Sequence, residues 1–157
     1  METKKKLLIV SIFIPLAVGI LSSILSGGSM ADFQVLKRPP LSPPGWLFPV
    51  VWTVLYVLMG IASWLIIISK ANEEDRYRAL FFYGLQLAVN FFWSIFFFRF
   101  DWYLFSFFWL ILLWLLIVQT WRLFREISVP AGRLLVPYLL WVTFAGYLNL
   151  FIFLLNR

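Results

Sequence analysis

The sequence has no cysteine and no histidine. Without thiols there are no disulfides and no thiolate ligands. Without imidazole there is no nucleophile–histidine pair and no histidine-based metal centre. No metal or other cofactor is expected to be required. Charge is scarce as well. Only 13% of the 157 residues are Asp, Glu, Lys or Arg, where a soluble domain carries about 25%. All seven acidic residues, Glu2, Asp32, Glu73, Glu74, Asp75, Asp101 and Glu126, fall in connectors or at the edges of apolar runs. Ion-coupled transporters and proton relays normally need an ionisable group at mid-membrane depth, so that class is disfavoured. No acid–base pair is available for a conventional enzyme either.

What fills the chain is apolar: 63% hydrophobic and 21% aromatic, with nine tryptophans and eighteen phenylalanines. Five charge-free windows run over 7–31, 39–69, 79–98, 102–121 and 134–156. Each holds the ~20 apolar residues that cross ~30 Å of hydrocarbon. Lipid offers no partner for loose backbone groups, so the spans must be helices. The expected fold is an all-α integral membrane protein, a five-transmembrane-helix bundle forming one domain over 1–157. Helices are expected at about 5–25, 42–69, 78–98, 102–124 and 133–155, with a long loop over 27–45. An alternative reading of the first span is a secretory signal, from Lys4-Lys5-Lys6 through an apolar core to Ser29-Met30-Ala31. The apolar run is longer than the 7–15 residues of a signal core.

The net charge of +6 lies in connectors, not in a stripe, so it reads as a topology signal and no nucleic-acid partner is expected. The N-terminus and the connectors after the second and fourth spans carry nine Lys and Arg, and the opposite side carries four. The positive-inside rule then gives a multi-pass protein of the cell membrane, with the N-terminus cytoplasmic and the first loop and C-terminus outside.

The stretch from Lys37 to Tyr56, KRPPLSPPGWLFPVVWTVLY, is the least ordinary. Pro39-Pro40 and Pro43-Pro44 hold an extended entry, because proline fixes φ and removes a donor. Ser42 can cap the second helix with Pro43 at its first position. Pro49 falls one turn further in, and Phe48, Trp52, Tyr56 and Ser63 share a face. A loop of this length, stiffened by proline, suits a lid over a pocket.

Gln86, Asn90 and Trp93 form one stripe on the third span, and Asn149 lies near Trp141 on the fifth. Buried amides either bond neighbouring helices or line a pocket, and spacing leaves both readings open. Trp52, Trp93 and Trp141 lie inside spans beside polar or small residues and read as cavity lining. Trp46, Trp102 and Trp121 sit at span ends and read as interface anchors. Trp64, Trp109 and Trp114 have no polar companion in sequence and read as packing or lipid-facing residues. The run FFWSIFFFRF, Phe91 to Phe100, reads as lipid-facing bulk. Gly84-x-x-x-Ala88 is a small-residue motif offset from the polar stripe, suited to a dimer face or to packing within the bundle.

Three blocks together resemble one family. They are PPLSPPGWLFPVVWTVLYVLMG (Pro39 to Gly60), QLAVNFFW (Gln86 to Trp93) and PYLLWVTFAGYLN (Pro137 to Asn149). They resemble, in order and spacing, the signatures of the TspO/MBR family of tryptophan-rich sensory proteins and translocator proteins. The resemblance implies a five-helix bundle, commonly a homodimer in membrane lipid, with a pocket open toward the first loop. It implies binding of porphyrins such as protoporphyrin IX, of haem-related tetrapyrroles, and of isoquinoline carboxamide and benzodiazepine-type drugs. The positions that match ligand contacts are Phe48, Pro49, Val51, Trp52, Asn90, Trp93, Trp141, Ala145 and Leu148. Lys37, Arg38, Pro43 and Pro44 would form the rim, where a porphyrin carboxylate could meet the two cations. The resemblance also implies two alternatives: light-dependent porphyrin degradation, with Trp52 and Trp141 as the redox partners, or transport of porphyrin or another small molecule. There are departures. Leu41 stands where many members have an aromatic, and Ser42 and Gly45 stand where animal forms have histidine and arginine. Drug affinity therefore does not carry over. The fourth span matches poorly. The sterol motif needs a Lys or Arg within five residues of Tyr147, and the next is Arg157, so no sterol recognition through it is expected.

Overall fold

The computed structural model describes residues 1–27 and 36–157. The stretch 28–35 lies outside the described residues. With it go Asp32, the Ser29-Met30-Ala31 end of the signal alternative and part of the proposed lid. The described chain forms α1 (Glu2–Ser26), α2 (Leu47–Ile67), α3 (Glu73–Ser94), α4 (Tyr103–Ile127) and α5 (Val129–Asn156), with a π-helical turn, Ile95–Arg99, continuing α3. All five helices are long and apolar enough to cross a membrane. The protein is a multi-pass, all-α membrane protein.

The helix ends follow local chemistry. Asn72 caps α3 by accepting from the Asp75 N–H at 2.8 Å, and Glu73, Glu74 and Asp75 fill the positive first turn. Ser128 caps α5 and is the whole connector after α4, so α5 begins at Val129, four residues before the expected start near Arg133. Pro130 then occupies its first turn, where a missing N–H is harmless. The second helix differs from expectation. It starts at Leu47, and Ser42 does not cap it. Pro44 biases Pro43 away from helical ψ, so the chain stays irregular through Gly45. The Ser42 hydroxyl instead donates to the Pro39 carbonyl at 2.7 Å. Pro49 is then the third helical residue, among the N–H groups that have no helical acceptor, and it does not interrupt α2. Pro137 lies inside α5.

Around the bundle the order is α1, α2, α5, α4, α3, and α3 with its π turn closes back on α1. The α1–α2 crossing is set by two glycines. A Cβ on Gly60 would lie 2.5 Å from Ile12 Cα, and one on Gly19 would lie 2.3 Å from the Tyr56 ring. Without a side chain at these points the two backbones approach closely and gain dispersion contact. Gly84 and Ala88 are exposed, and a Cβ on Gly84 would meet nothing within 4 Å. Among the described residues, nothing packs against the open side of Gly84.

The three tryptophans expected to lack polar companions all have one. Trp64 Nε1 donates to the Lys4 carbonyl at 2.9 Å, Trp109 Nε1 to the Val89 carbonyl at 2.7 Å, and Trp114 Nε1 to Thr143 Oγ1 at 2.9 Å. An indole N–H inside a bilayer needs an acceptor. Here the acceptors belong to neighbouring helices, which spacing along one helix does not reveal.

Candidate functional site

One half of the bundle is hollow. The C-terminal half of α1, the N-terminal half of α2, the end of α3 with its π turn, and the C-terminal half of α5 surround a cavity of about 280 Å³. It lies toward the end of the bundle that carries the proline loop. Small-molecule sites usually enclose ~300–1,000 Å³. Part of a larger ligand would therefore remain at the opening. Ile20 and Ser23 on α1, and Pro49 and Thr53 on α2, line the cavity and are also exposed. Among the described residues, the cavity thus opens sideways between α1 and α2.

Aromatic rings build the walls. Trp52 stacks on Tyr56, with centroids 5.5 Å apart, and meets Tyr138 edge-on at 6.2 Å. Phe48 meets Trp141 edge-on at 5.8 Å, and Trp93 stacks on Phe97 at 5.3 Å. Of the residues picked out from sequence, Phe48, Pro49, Trp52, Trp93, Trp141, Ala145 and Leu148 all line the cavity. Two do not. Val51 is half-buried and packs on the core. Asn90 sits behind the wall, where Tyr56 Oη donates to its Oδ1 at 3.1 Å and its Nδ2 donates to Tyr138 Oη at 2.7 Å. Tyr138 Oη in turn donates to Gln86 Oε1 at 2.6 Å. These four side chains form a buried polar brace that positions the aromatic wall. Lys37, Arg38, Pro43 and Pro44 are not among the lining residues either.

Polar groups that do reach the cavity are few and neutral. Asn149 accepts from Trp93 Nε1 at 3.0 Å and donates to the Tyr103 carbonyl at 2.7 Å. Ser22 donates to the Phe91 carbonyl and Ser26 to the Ser22 carbonyl, each at 2.7 Å, so their hydroxyl oxygens keep only acceptor capacity. Trp141 Nε1 is buried and has no hydrogen-bond partner among the described residues. Among the described residues, no Asp, Glu, Lys or Arg side chain lines the cavity. This arrangement can sandwich a flat apolar ring between indole and phenyl faces.

Sequence reasoning missed two parts of the lining. Phe97 and Phe98 face the cavity, although their run reads as lipid-facing bulk. The π turn redirects them, and nothing in the sequence marks it. Ser22 and Ser26 were not singled out either, though their spacing along α1 could have found them. With Ser11 and Pro15 they are the buried residues of α1, spaced four, seven and four apart.

Five apolar spans around an uncharged intramembrane cavity define a multi-pass membrane protein of the small-ligand binding or transport kind. The chain belongs to the TspO/MBR family, whose profile matches residues 11–155. It is 38% identical over 124 residues to the tryptophan-rich protein TspO of Chlorobaculum tepidum, covering 79% of this chain and 78% of the relative. It is 38% identical over 138 residues to protein CrtK of Rhodobacter capsulatus, covering 88% and 85%. It is 35% identical over 121 residues to the translocator protein of Bos taurus, covering 74% and 70%.

Proposed function

We propose that this protein is a membrane receptor for flat aromatic ligands, chiefly porphyrins and related tetrapyrroles. One observation carries the reading: an uncharged cavity walled by Trp52, Trp93 and Trp141, with the Trp141 N–H unpaired. Rings stack on the indoles, and an acceptor on the ligand takes the free N–H. In this reading the proline loop covers the mouth from the outer side and the N-terminus is cytoplasmic, which the Lys and Arg distribution supports. Titrating protoporphyrin IX against tryptophan fluorescence in lipid nanodiscs tests the reading. Saturable quenching that a Trp52→Phe, Trp141→Phe double variant weakens is expected. Unchanged affinity in that variant places the ligand elsewhere.

A second activity follows from the same rings. Trp52 lies in the cavity wall and stacks on Tyr56, so an excited porphyrin would meet an oxidisable indole at van der Waals distance. Illumination of the complex separates binding from degradation. Bleaching no faster than that of free porphyrin in detergent leaves a receptor alone. Two copies meet through the exposed Gly84–Ala88 face of α3 in this proposal, because that face is open and unused within the chain. Chemical cross-linking of a Gly84→Phe variant tests it, and an undiminished dimer removes this face from consideration.

A further inference from the structure

Among the described residues the cavity wall has no charged side chain, yet many flat ring ligands carry a carboxylate on one edge. Burying such a group unpaired costs several kcal/mol. The charged edge must therefore rest at the rim, and neither Lys37 nor Arg38 is among the residues that line the cavity. Lys37 is held by its backbone to Asn156 at the end of α5, with bonds of 3.1 and 2.8 Å.

The π turn supplies another cation. Phe100 N–H bonds to the Ile95 carbonyl at 3.2 Å and Trp102 N–H to the Phe96 carbonyl at 3.0 Å. This wide turn presents Phe97 and Phe98 to the cavity, and the next residue is Arg99. π turns are rare and recur at functional sites. Arg99 Nη1 reaches across to the Leu25 carbonyl at the end of α1, at 3.0 Å. Each partner in this bridge adjoins a lining residue: Arg99 follows Phe98, and Leu25 precedes Ser26. The guanidinium thus spans the α1–π seam at the cavity rim. It is exposed, and among the described residues it makes no ion pair. Capping α1 uses one of its five N–H donors and leaves a fork free for a planar anion.

We propose that Arg99 is the anchor for the carboxylate edge of the ring ligand, which lies with its apolar body between Trp52 and Trp141 and its acidic edge at the α1–π seam. This rests on the porphyrin reading above. The ligand class it selects is an amphipathic disc with anionic groups on one side.

The test compares a dicarboxylic porphyrin with its dimethyl ester in nanodiscs of neutral lipid. Partitioning of each probe into lipid is common to all variants and cancels when ratios are compared. Relative to the ester, Arg99→Gln is expected to weaken the acid by roughly three- to fivefold, the worth of a partly exposed ion pair. Arg99→Lys retains most of the preference, and Lys37→Gln leaves it unchanged. An unaltered acid-to-ester ratio in Arg99→Gln overturns the proposal, as does equal loss of both probes, which marks a cap and nothing more. If the wild-type protein binds neither probe, the porphyrin reading itself fails and takes this one with it.

Discussion

The Asn156 carboxamide clasps Lys37 on both sides of its backbone, accepting from the Lys37 N–H at 3.1 Å and donating to the Lys37 carbonyl at 2.8 Å. Three residues on, Tyr147 Oη donates to the Pro40 carbonyl at 2.7 Å. The proline loop is therefore latched along the C-terminal half of α5, and the latch acts on backbone that proline has already stiffened.

An Asn156→Ala, Tyr147→Phe double variant removes all three bonds. Each is worth about 0.5–1.5 kcal/mol at most, because the groups are solvent-accessible. Global stability should change little, while the loop is freed. Porphyrin dissociation, followed by stopped-flow recovery of tryptophan fluorescence, is expected to accelerate several-fold with a smaller change in association. An unchanged dissociation rate means the loop does not cover the ligand.

Asn90 makes a contrasting prediction. It looks like a ligand contact in sequence but braces Tyr56 and Tyr138 in the structure. Asn90→Ala strands the Tyr56 hydroxyl and removes a donor from Tyr138. Stability in detergent should fall by about 1–3 kcal/mol. Thermal unfolding measures this directly. A large loss of porphyrin affinity with unchanged stability would restore Asn90 to the cavity wall.

Spacing along a helix explains why some features were legible and Asn90 was not. Charge-free windows located every span, and the heptad-like recurrence of Gln86, Asn90 and Trp93 correctly marked an inward stripe. Periodicity gives the direction of a side chain but not its partner. Whether an inward amide meets a hollow or a tyrosine from another helix depends on cross-bundle packing. The same limit hid the acceptors of Trp109 and Trp114. The start of α2 was misjudged because Ser42-Pro43 has the form of a cap, while the following Pro44 forbids the helical conformation that the cap would begin. The π turn has no sequence signature, so Phe97, Phe98 and Arg99 emerged only from the fold.

Two glycines test the α1–α2 crossing against the open face of α3. Gly60→Ala places a methyl group 2.5 Å from Ile12 Cα, which is backbone and cannot rotate aside. Overpacking of this kind costs about 1–3 kcal/mol. Because α1 forms one wall of the cavity, ligand affinity should fall with it. Gly84→Ala meets open space and is expected to be neutral or to stabilise α3 by up to about 1 kcal/mol. Parallel thermal unfolding of the two variants decides, and equal effects would mean that α1 is not seated on Gly60.

Trp141 separates the empty protein from the complex by sign. Its indole N–H is buried and unpaired, and an unsatisfied buried donor costs about 1–3 kcal/mol. Trp141→Phe removes that donor and keeps most of the ring, at the expense of a small void beside Phe48 and Phe144, its ring neighbours. The two effects oppose each other, so the ligand-free protein should lose little stability or gain some. The complex behaves otherwise, because a ligand acceptor that satisfied the N–H now has no partner. Affinity for a ring bearing such an acceptor should fall by about two- to tenfold, the worth of one neutral hydrogen bond. A ring of the same shape without the acceptor should bind both proteins alike. Fluorescence titration of the two ligands, beside ligand-free thermal unfolding, reads both signs. A variant that is markedly less stable when empty would make Trp141 a structural residue, and its unpaired N–H would then have no bearing on ligand choice.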